Sequence, residues 1–236
     1  MATLATMAPI VIDQTELAQF GAVWRQNGGR LSRTPPCSSG ELGRLFDLAV
    51  GHSLAALLGG IPIVTPNATT LIPMQPDCVE VGPVRIVGGV RPQNFDVGYR
   101  PDGVRLAFDS KTLNDQESIG KNWQNMINDL ATEATTVHSR FPFALVAFMV
   151  VFPAPCVSAA HQRATIETLE RLARRTAVDG QPYMAEAISL VVWNPDDGTI
   201  DATIPPASSP LRLERFPSQI EVAYISRYKG LPPHAE

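Results

Sequence analysis

Two aspartates and one lysine stand at spacings that would bring their side chains together on a predicted β-hairpin. The segment 94–111 reads N-F-D-V-G-Y-R-P-D-G-V-R-L-A-F-D-S-K, with apolar residues alternating along both arms. Asp102-Gly103 is a strong signal for a two-residue turn, whose central positions need φ > 0. Counting down the ladder from that turn places Asp96 opposite Asp109. Because side chains alternate between the faces of a strand, we expect Asp96, Asp109 and Lys111 on one face and the apolar residues on the other.

These three residue types at these positions are suited to metal-assisted hydrolysis of phosphodiesters. Two carboxylates opposite each other on a ladder repel, and partial burial raises the cost. A divalent cation between them would offset the repulsion, and Mg²⁺ suits the site because it takes few protein carboxylates and keeps several waters. The Lys111 ammonium, diagonal to the acids, would hold a water molecule or stabilise developing negative charge.

The competing interpretation is a surface hairpin whose charged face is simply solvated. One feature of the composition favours the chemical interpretation. The chain has 19 basic residues, and only Lys111, Lys121 and Lys229 are lysines. A chain so rich in arginine that still carries lysine beside the two acids indicates that a compact ammonium is required there.

Asp96, followed after twelve residues by Asp109-Ser110-Lys111, resembles the D…(D/E)-x-K signature of the PD-(D/E)xK, restriction-endonuclease-like nucleases. The literal Pro-Asp pair at 101–102 is assigned to the turn, and Asn94-Phe95-Asp96 occupies the motif position. In the order of its elements the resemblance covers roughly residues 38 to 195. Such a short motif gains weight only when a hairpin and flanking helices agree with it.

The resemblance implies an endonuclease that hydrolyses double-stranded DNA, most like a type II restriction enzyme, with Asp96 and Asp109 as metal ligands and Lys111 as a catalytic residue. It implies Mg²⁺ as cofactor, with Mn²⁺ as a substitute, and a homodimer, because cutting both strands of a palindrome needs two sites. A cognate DNA methyltransferase encoded nearby would accompany a restriction enzyme. The alternatives are a repair, mobile-element or phage-defence nuclease, or a non-catalytic DNA-binding or scaffold domain of the same fold.

Glu41 has two interpretations that the sequence leaves open. Ser38-x-x-Glu41 is a capping box at the start of a predicted helix, which is the simpler explanation. The resemblance instead implies a helix carboxylate that reaches the metal and takes part in catalysis. Asp47, between Phe46 and Leu48, is a weaker rival for that role.

Four residues are candidate DNA contacts. Arg30 and Arg33 belong to a basic loop, where they either bind phosphates or solvate the loop. Lys121 and Asn122 lie in the first turns of the helix predicted after the D-x-K strand, which flanks the active site in this superfamily. The competing interpretation of that helix is an ordinary polar outer face.

The bulk composition excludes several classes of protein. With 236 residues, 44% hydrophobic and 18% charged, the chain is expected to form one domain with a packed core. The net charge of −4 counts mildly against nucleic acid, although a cleft needs only local positive charge. Three cysteines without C-x-x-C spacing argue against a disulfide framework or structural zinc. No secretion signal or membrane span is expected, so the cytoplasm is the predicted location.

The predicted order of elements is typical of an α/β fold with a mixed central sheet flanked by helices. Helices are expected over 13–26, 38–58, 118–139 and 159–177, and strands over 78–90, 143–152, 187–193 and 219–228. The proposed division is a single nuclease domain over 1–236, with a catalytic core at about 38–195. Residues 1–37 and 196–236 are then elaborations of that core.

Overall fold

The computed structural model describes residues 4–67, 69–117 and 119–234, apart from the side chains of residues 121, 159 and 160. Within these ranges the chain forms five α-helices and six β-strands. The helices are α1 (Gln14–Gln26), α2 (Ser39–Leu57), α3 (Ile119–His138), α4 (Ala159–Leu172) and α5 (Phe216–Tyr228), with single 3₁₀ turns at Ala154–Cys156 and Leu213–Arg215. The strands are β1 (Ile63–Val64), β2 (Val79–Val87), β3 (Pro92–Tyr99), β4 (Leu106–Thr112), β5 (Leu145–Pro153) and β6 (Ala187–Trp193).

All six strands form one mixed sheet in the order β1-β2-β3-β4-β5-β6. Strands β2, β3 and β4 are an antiparallel meander, whereas β4, β5 and β6 run parallel to one another. Parallel neighbours need a long crossover connection, which α3 supplies between β4 and β5 and α4 between β5 and β6. Strand β5 is buried along its whole length, as expected for a strand covered on both faces.

Two hydrophobic clusters, one on each face of the sheet, hold the layers together. One cluster joins α1, α2 and α5 to the sheet through side chains such as Phe20, Phe46 and Phe216. The other joins α3 and α4 to the opposite face through side chains such as Leu130 and Leu169. The predicted α/β class, a mixed sheet flanked by helices, is therefore confirmed.

Two sequence predictions about the elements were wrong. Residues 219–228, predicted as a strand, belong to α5, because Ile220, Tyr224 and Tyr228 recur every fourth residue and all reach the core. The alternation that suggested a strand is local, and tertiary packing overrides it. The hairpin between β3 and β4 does not close with a two-residue turn either. Its ladder ends at Tyr99 and Leu106, so six residues form the loop.

Among the described residues, no helix is long and apolar enough to cross a membrane.

Candidate active site

The register of β3 and β4 brings Asp96 beside Asp109. Val97 pairs with Phe108 and Gly98 with Ala107, which is the predicted register. The next step of the ladder would pair Asp96 with Asp109, but the strands separate there. The backbone nitrogen of Ser110 instead donates to Asp96 Oδ2, at 2.9 Å, and the Ser110 hydroxyl lies 3.2 Å from the same oxygen. The carboxylate thus takes the place of a ladder acceptor.

A β-bulge explains why β3 leaves β4 at this point. Val81 pairs with Val97 and Val84 with Phe95, so two residues of β2, Gly82 and Pro83, lie opposite Asp96. Bulges bend the strand pair and re-aim side chains, and they are frequent next to active sites. Gly82 adopts a φ of +135°, which a side chain would disfavour.

Beyond the bulge, the β2–β3 hairpin turns towards α3. The Gly89 nitrogen donates to Thr136 O at 2.8 Å, and Arg140 donates to Val87 O at 2.8 Å. Phe95 therefore packs in the cluster under α3, whereas Val97 packs in the cluster on the other face. The prediction that all apolar residues of the hairpin share the face opposite the acids was wrong, because a bulge changes the phase of the alternation.

Lys111 contacts Asp109 and also Glu133, an acid that the sequence analysis did not identify as part of the site. Its Nζ forms ion pairs with Asp109 Oδ2 and, at 2.7 Å, with Glu133 Oε1 of α3. Glu133 is 5% exposed. The signal was present in the sequence, because Glu133 falls at helical spacing within the apolar stripe that includes Leu130 and Val137. An acid on such a stripe is buried and needs a partner.

Glu41 caps α2 and does not reach the two aspartates of the hairpin. The Ser38 nitrogen donates to Glu41 Oε2 at 2.8 Å, and the Glu41 nitrogen donates to Ser38 Oγ at 3.2 Å, which completes the capping box. Glu41 is exposed. Of its two interpretations, the structure shows the helix cap, and the implied role as a catalytic carboxylate was wrong because the cap holds the side chain at the helix terminus.

The carboxylate that α2 brings to the hairpin is Asp47. Gly43 and Gly51, one turn before and one turn after it, lie against the sheet. A Cβ at Gly43 would stand 3.3 Å from Ser110 Oγ, and one at Gly51 would stand 2.5 Å from a Val81 methyl. This Gly-x₃-Asp-x₃-Gly spacing is the signal that identifies the face of α2 in closest contact with the strands.

Burial and like charge dominate the electrostatics of the carboxylate cluster, which we define as Asp47, Asp96, Asp109 and Glu133. Burial raises the pKa of Asp47 to about 8, with the neighbouring Asp96 carboxylate adding to the rise and Ser110 opposing it. Burial also raises the pKa of Asp109 well above its usual range, and a hydrogen bond and charge from Asp96 reinforce this.

Lys111 is the one cation in direct contact with these acids among the described side chains. Burial alone would lower the pKa of Lys111, but the carboxylates of Asp109 and Glu133 outweigh it and raise the pKa above its usual value. Oδ1 of Asp47 and Oε2 of Glu133 are buried and have no hydrogen-bond partner. The carboxylate cluster therefore holds more buried oxygen ligands than Lys111 alone can satisfy.

This excess of buried oxygen ligands fits a hard divalent cation. In the part of the chain that the structure describes, no three His, Cys, Asp or Glu side chains already stand in metal-binding geometry. Mg²⁺ does not need three, because it is commonly bound through one or two carboxylates and keeps its waters. Asp96 and Asp109, with the unpartnered oxygen of Asp47 beside them, satisfy that requirement.

Two adjoining clefts open at the carboxyl end of β4. One, of about 410 Å³, is lined by Ser110, Lys111 and the α3 residues Asn122 and Asn125. The other, of about 280 Å³, is lined by Arg33 and the start of α2, and shares Asn122 with the first. Together they form a polar groove between the 27–37 loop and α3.

The candidate DNA contacts distribute unevenly around this groove. Arg33 and Asn122 line it. Arg30 is exposed on the same loop. Lys121 belongs to the first turn of α3, and its side chain lies outside the described part of the structure.

His138, at the C-terminal end of α3, belongs to a separate buried cluster. Its Nε2 lies 3.2 Å from Glu186 Oε2, and its Nδ1 lies 2.9 Å from Pro182 O. Glu186 Oε1 accepts from Arg175 at 2.5 Å and from Arg227 at 2.8 Å. The carboxylate ties β6 to α3 and α5, so we assign the cluster a structural role.

In comparisons with models of protein families, with curated proteins and with solved structures, nothing matches this chain.

Proposed function

We propose that this protein is a Mg²⁺-dependent endonuclease with a restriction-endonuclease-like core that hydrolyses double-stranded DNA. The observation that carries the proposal is the convergence of Asp96, Asp109 and Lys111 at the carboxyl end of β4, with Asp47 supplied by α2. These residues come from three separate elements, β3, β4 and α2. Buried acids with raised pKa values beside a cleft are the usual mark of a functional site.

Asp96 and Asp109 are the proposed cation ligands, and Asp47 is the third oxygen donor. Bound there, Mg²⁺ would act as a Lewis acid that neutralises charge on the phosphate and acidifies water. The chain prepares the site without it: Ser110 fixes Asp96 through a backbone hydrogen bond, and Gly43 allows α2 close enough for Asp47 to face Asp96. Such fixed ligands lower the cost of organising the site when the cation binds.

Lys111 is the proposed catalytic cation. Its side chain is 22% exposed and reaches the cleft that Asn122 and Asn125 line. From there an ammonium can orient the attacking water and stabilise the charge that develops on the phosphoryl oxygens. The partial exposure matters, because the substrate must approach the same group that the acids hold.

The polar groove is the proposed path of the DNA backbone. Arg33 and Asn122 line it, and Arg30 and Lys121 stand on the segments that form its walls. Phosphate contacts from such residues position a duplex without reading its sequence. Asp115 and Asp129 also line the groove, so the positive charge that would attract phosphate is confined to Arg33 and Lys111 among its described lining residues.

The specific form of the proposal is a type II restriction enzyme that acts as a homodimer. Each chain carries one carboxylate cluster, and cleavage of both strands requires two. A DNA methyltransferase encoded beside the gene would support this form. Its absence, together with cleavage that lacks site preference, would favour a repair, mobile-element or phage-defence nuclease.

Cleavage of supercoiled plasmid DNA tests the proposal. The purified protein is incubated with DNA lacking methylation in Mg²⁺, in Mn²⁺ and in EDTA. We expect discrete fragments with either metal, none in EDTA, and none from Asp109→Asn. Asp179→Asn, which changes an exposed acid away from the site, is the matched control. A smear of fragments would indicate a nonspecific nuclease instead of a restriction enzyme. DNA binding without any cleavage would favour a scaffold domain.

A further inference from the structure

The Lys111 ammonium is shared between two carboxylates that come from different elements. Asp109, on the same strand, contacts it from one side, and Glu133 of α3 contacts it from the other at 2.7 Å. The Glu133 side chain is 6% exposed and the Asp109 side chain 8% exposed, against 22% for Lys111. In both contacts the carboxylate is therefore shielded from water, whereas the ammonium is partly exposed.

Glu133 holds a spare hydrogen-bond acceptor. Its Oε1 accepts from Lys111, whereas its Oε2 is buried and without a partner. A buried carboxylate oxygen left unpaired is costly. The ammonium has three N–H donors, and two of them are already in use. One donor on Lys111 and one acceptor on Glu133 therefore remain unused.

Burial of Glu133 is hard to explain by stability alone. Its position on the apolar stripe of α3 would be filled at least as well by a hydrophobic residue, since buried ion pairs often add nothing to stability relative to apolar replacements. A role in holding Lys111 explains the choice of residue.

We propose that Glu133 is a positioning residue that takes over the Lys111 ammonium when a divalent cation binds at Asp109. This inference rests on the proposed function, because it concerns the same cation and the same lysine. Asp109 Oδ2 cannot serve the ammonium and a divalent cation equally, since the two positive charges repel. Once Asp109 is engaged by the cation, Glu133 offers both oxygens to Lys111 and keeps it at the mouth of the cleft.

Without Glu133, the flexible four-carbon stem of Lys111 would let the ammonium move into the open cleft. The cation ligands would remain in place, because within the described structure neither Asp96 nor Asp109 is hydrogen-bonded to Glu133, and Asp109 is affected only by its charge. The expected defect is in the chemical step, with cation binding and DNA binding preserved.

Kinetic and binding measurements on Glu133→Gln test this, with Glu133→Asp as the conservative variant and Glu167→Gln, on the exposed side of α4, as the matched control. We expect kcat to fall about 10- to 100-fold in Glu133→Gln, as a small misplacement of a catalytic group does. KM for DNA and the Kd for Ca²⁺ should stay within about twofold of wild type. Glu133→Asp should recover part of kcat. A loss of Ca²⁺ affinity in Glu133→Gln would make Glu133 a cation ligand instead, and an unchanged kcat would remove it from positioning.

A readout that needs no turnover is available because the chain has only three lysines. In protein labelled with ¹⁵N-lysine, the Lys111 Nζ signal is assigned by its loss in Lys111→Arg. Addition of Ca²⁺ to wild type should shift this signal and leave it protected from exchange with water. A signal that disappears on Ca²⁺ addition would overturn the handover to Glu133, even if the Glu133→Gln protein does not fold.

Different results would overturn the proposed function and the handover to Glu133. Wild-type protein that binds neither Mg²⁺ nor Ca²⁺ defeats the proposed function and the handover together. Wild-type protein that cleaves DNA while Glu133→Gln cleaves at the same rate defeats the handover alone.

Discussion

The Oδ2 atom of Asp96 lies 2.9 Å from the backbone nitrogen of Ser110, at the point where the ladder between β3 and β4 ends. A side chain thus accepts the hydrogen bond that a strand carbonyl would normally accept. The side chain replaces the carbonyl as acceptor because the bulge at Gly82 and Pro83, opposite Asp96, turns β3 away from β4. The backbone therefore fixes the orientation of this carboxylate before any ligand arrives.

Asp96→Asn should separate cation binding from stability. An asparagine carbonyl can still accept from Ser110, while the repulsion with Asp47 and Asp109 disappears. We expect cation affinity to fall at least about tenfold and the free energy of unfolding in EDTA to rise by about 1 kcal/mol. Calorimetric Ca²⁺ titration and urea denaturation in EDTA measure the two effects. Earlier unfolding of this variant in EDTA would show that the carboxylate is structural.

Lys111→Ala should abolish cleavage and also destabilise the protein. Lys111 is the counter-ion of the buried Glu133 and Asp109. Removing one partner of a buried pair commonly costs about 3 to 5 kcal/mol, and partial exposure of the lysine places the expected loss near the lower end. Urea denaturation at neutral pH measures it. Lys229→Ala, at an exposed helix terminus, is the control and should change neither property.

Asp47→Asn should change how stability depends on pH in metal-free buffer. The pKa of Asp47 is raised to about 8 in the folded protein, against 3.8 for an ordinary aspartate. Between about pH 4 and pH 8 the folded protein holds a proton that the unfolded chain has released, so stability falls as pH rises, by about 1.4 kcal/mol per pH unit for each such group.

The Asp47→Asn variant should lose one such contribution and show a shallower fall between pH 4 and pH 8. Denaturation midpoints in EDTA at several pH values measure the slope for both proteins. Parallel curves for variant and wild type would mean that Asp47 is ionised in the folded protein throughout this range.

Glu186→Gln should destabilise the protein without altering the candidate active site. The variant would leave Arg175 and Arg227 buried without their carboxylate, at a cost of about 3 to 5 kcal/mol. Burial alone would raise the pKa of Glu186, but His138 and Arg227 outweigh it and hold the pKa below its usual value. The stability from this group is therefore present at neutral pH and lost as the pH falls below about 4.5. Urea denaturation at pH 7 and pH 4 gives both values, and cleavage per folded molecule should equal wild type.

Glu41→Gln should leave activity intact. The glutamine carbonyl can still accept from the Ser38 nitrogen, so the capping box persists with a loss of at most about 1 kcal/mol. Cation titration and plasmid cleavage should match wild type. Loss of cleavage with unchanged stability would instead assign Glu41 a catalytic role.

Local signals in the sequence were sufficient for most elements and for the central pair of acids. The capping box at Ser38 marks the start of α2, and the apolar run marks β5. Counting back from Asp102-Gly103 gives the observed register of β3 and β4, although the loop between them is longer than the expected two-residue turn. These features depend on residues close in the chain, whose periodicity and turn chemistry are visible without a fold.

The roles of Asp47, Glu133 and Glu41 could not be assigned in the same way. Each lies on a helix, and which carboxylate meets the strands depends on how that helix rotates as it packs. For α2 the glycines at 43 and 51 set the rotation, and for α3 the apolar stripe does. Both signals are legible in the sequence only once the position of the sheet is known.

By itself, the sequence determined the class of fold and the register of the central hairpin that brings two aspartates side by side. The tertiary structure decided which helix carboxylates join them, the phase change at the bulge, and the helical state of the C-terminal segment. The physical reason is the separation of the interacting residues along the chain. A hairpin ladder and a helix cap depend on residues that are close in sequence. Burial and charge pairing depend instead on contacts between segments that only the folded chain brings together.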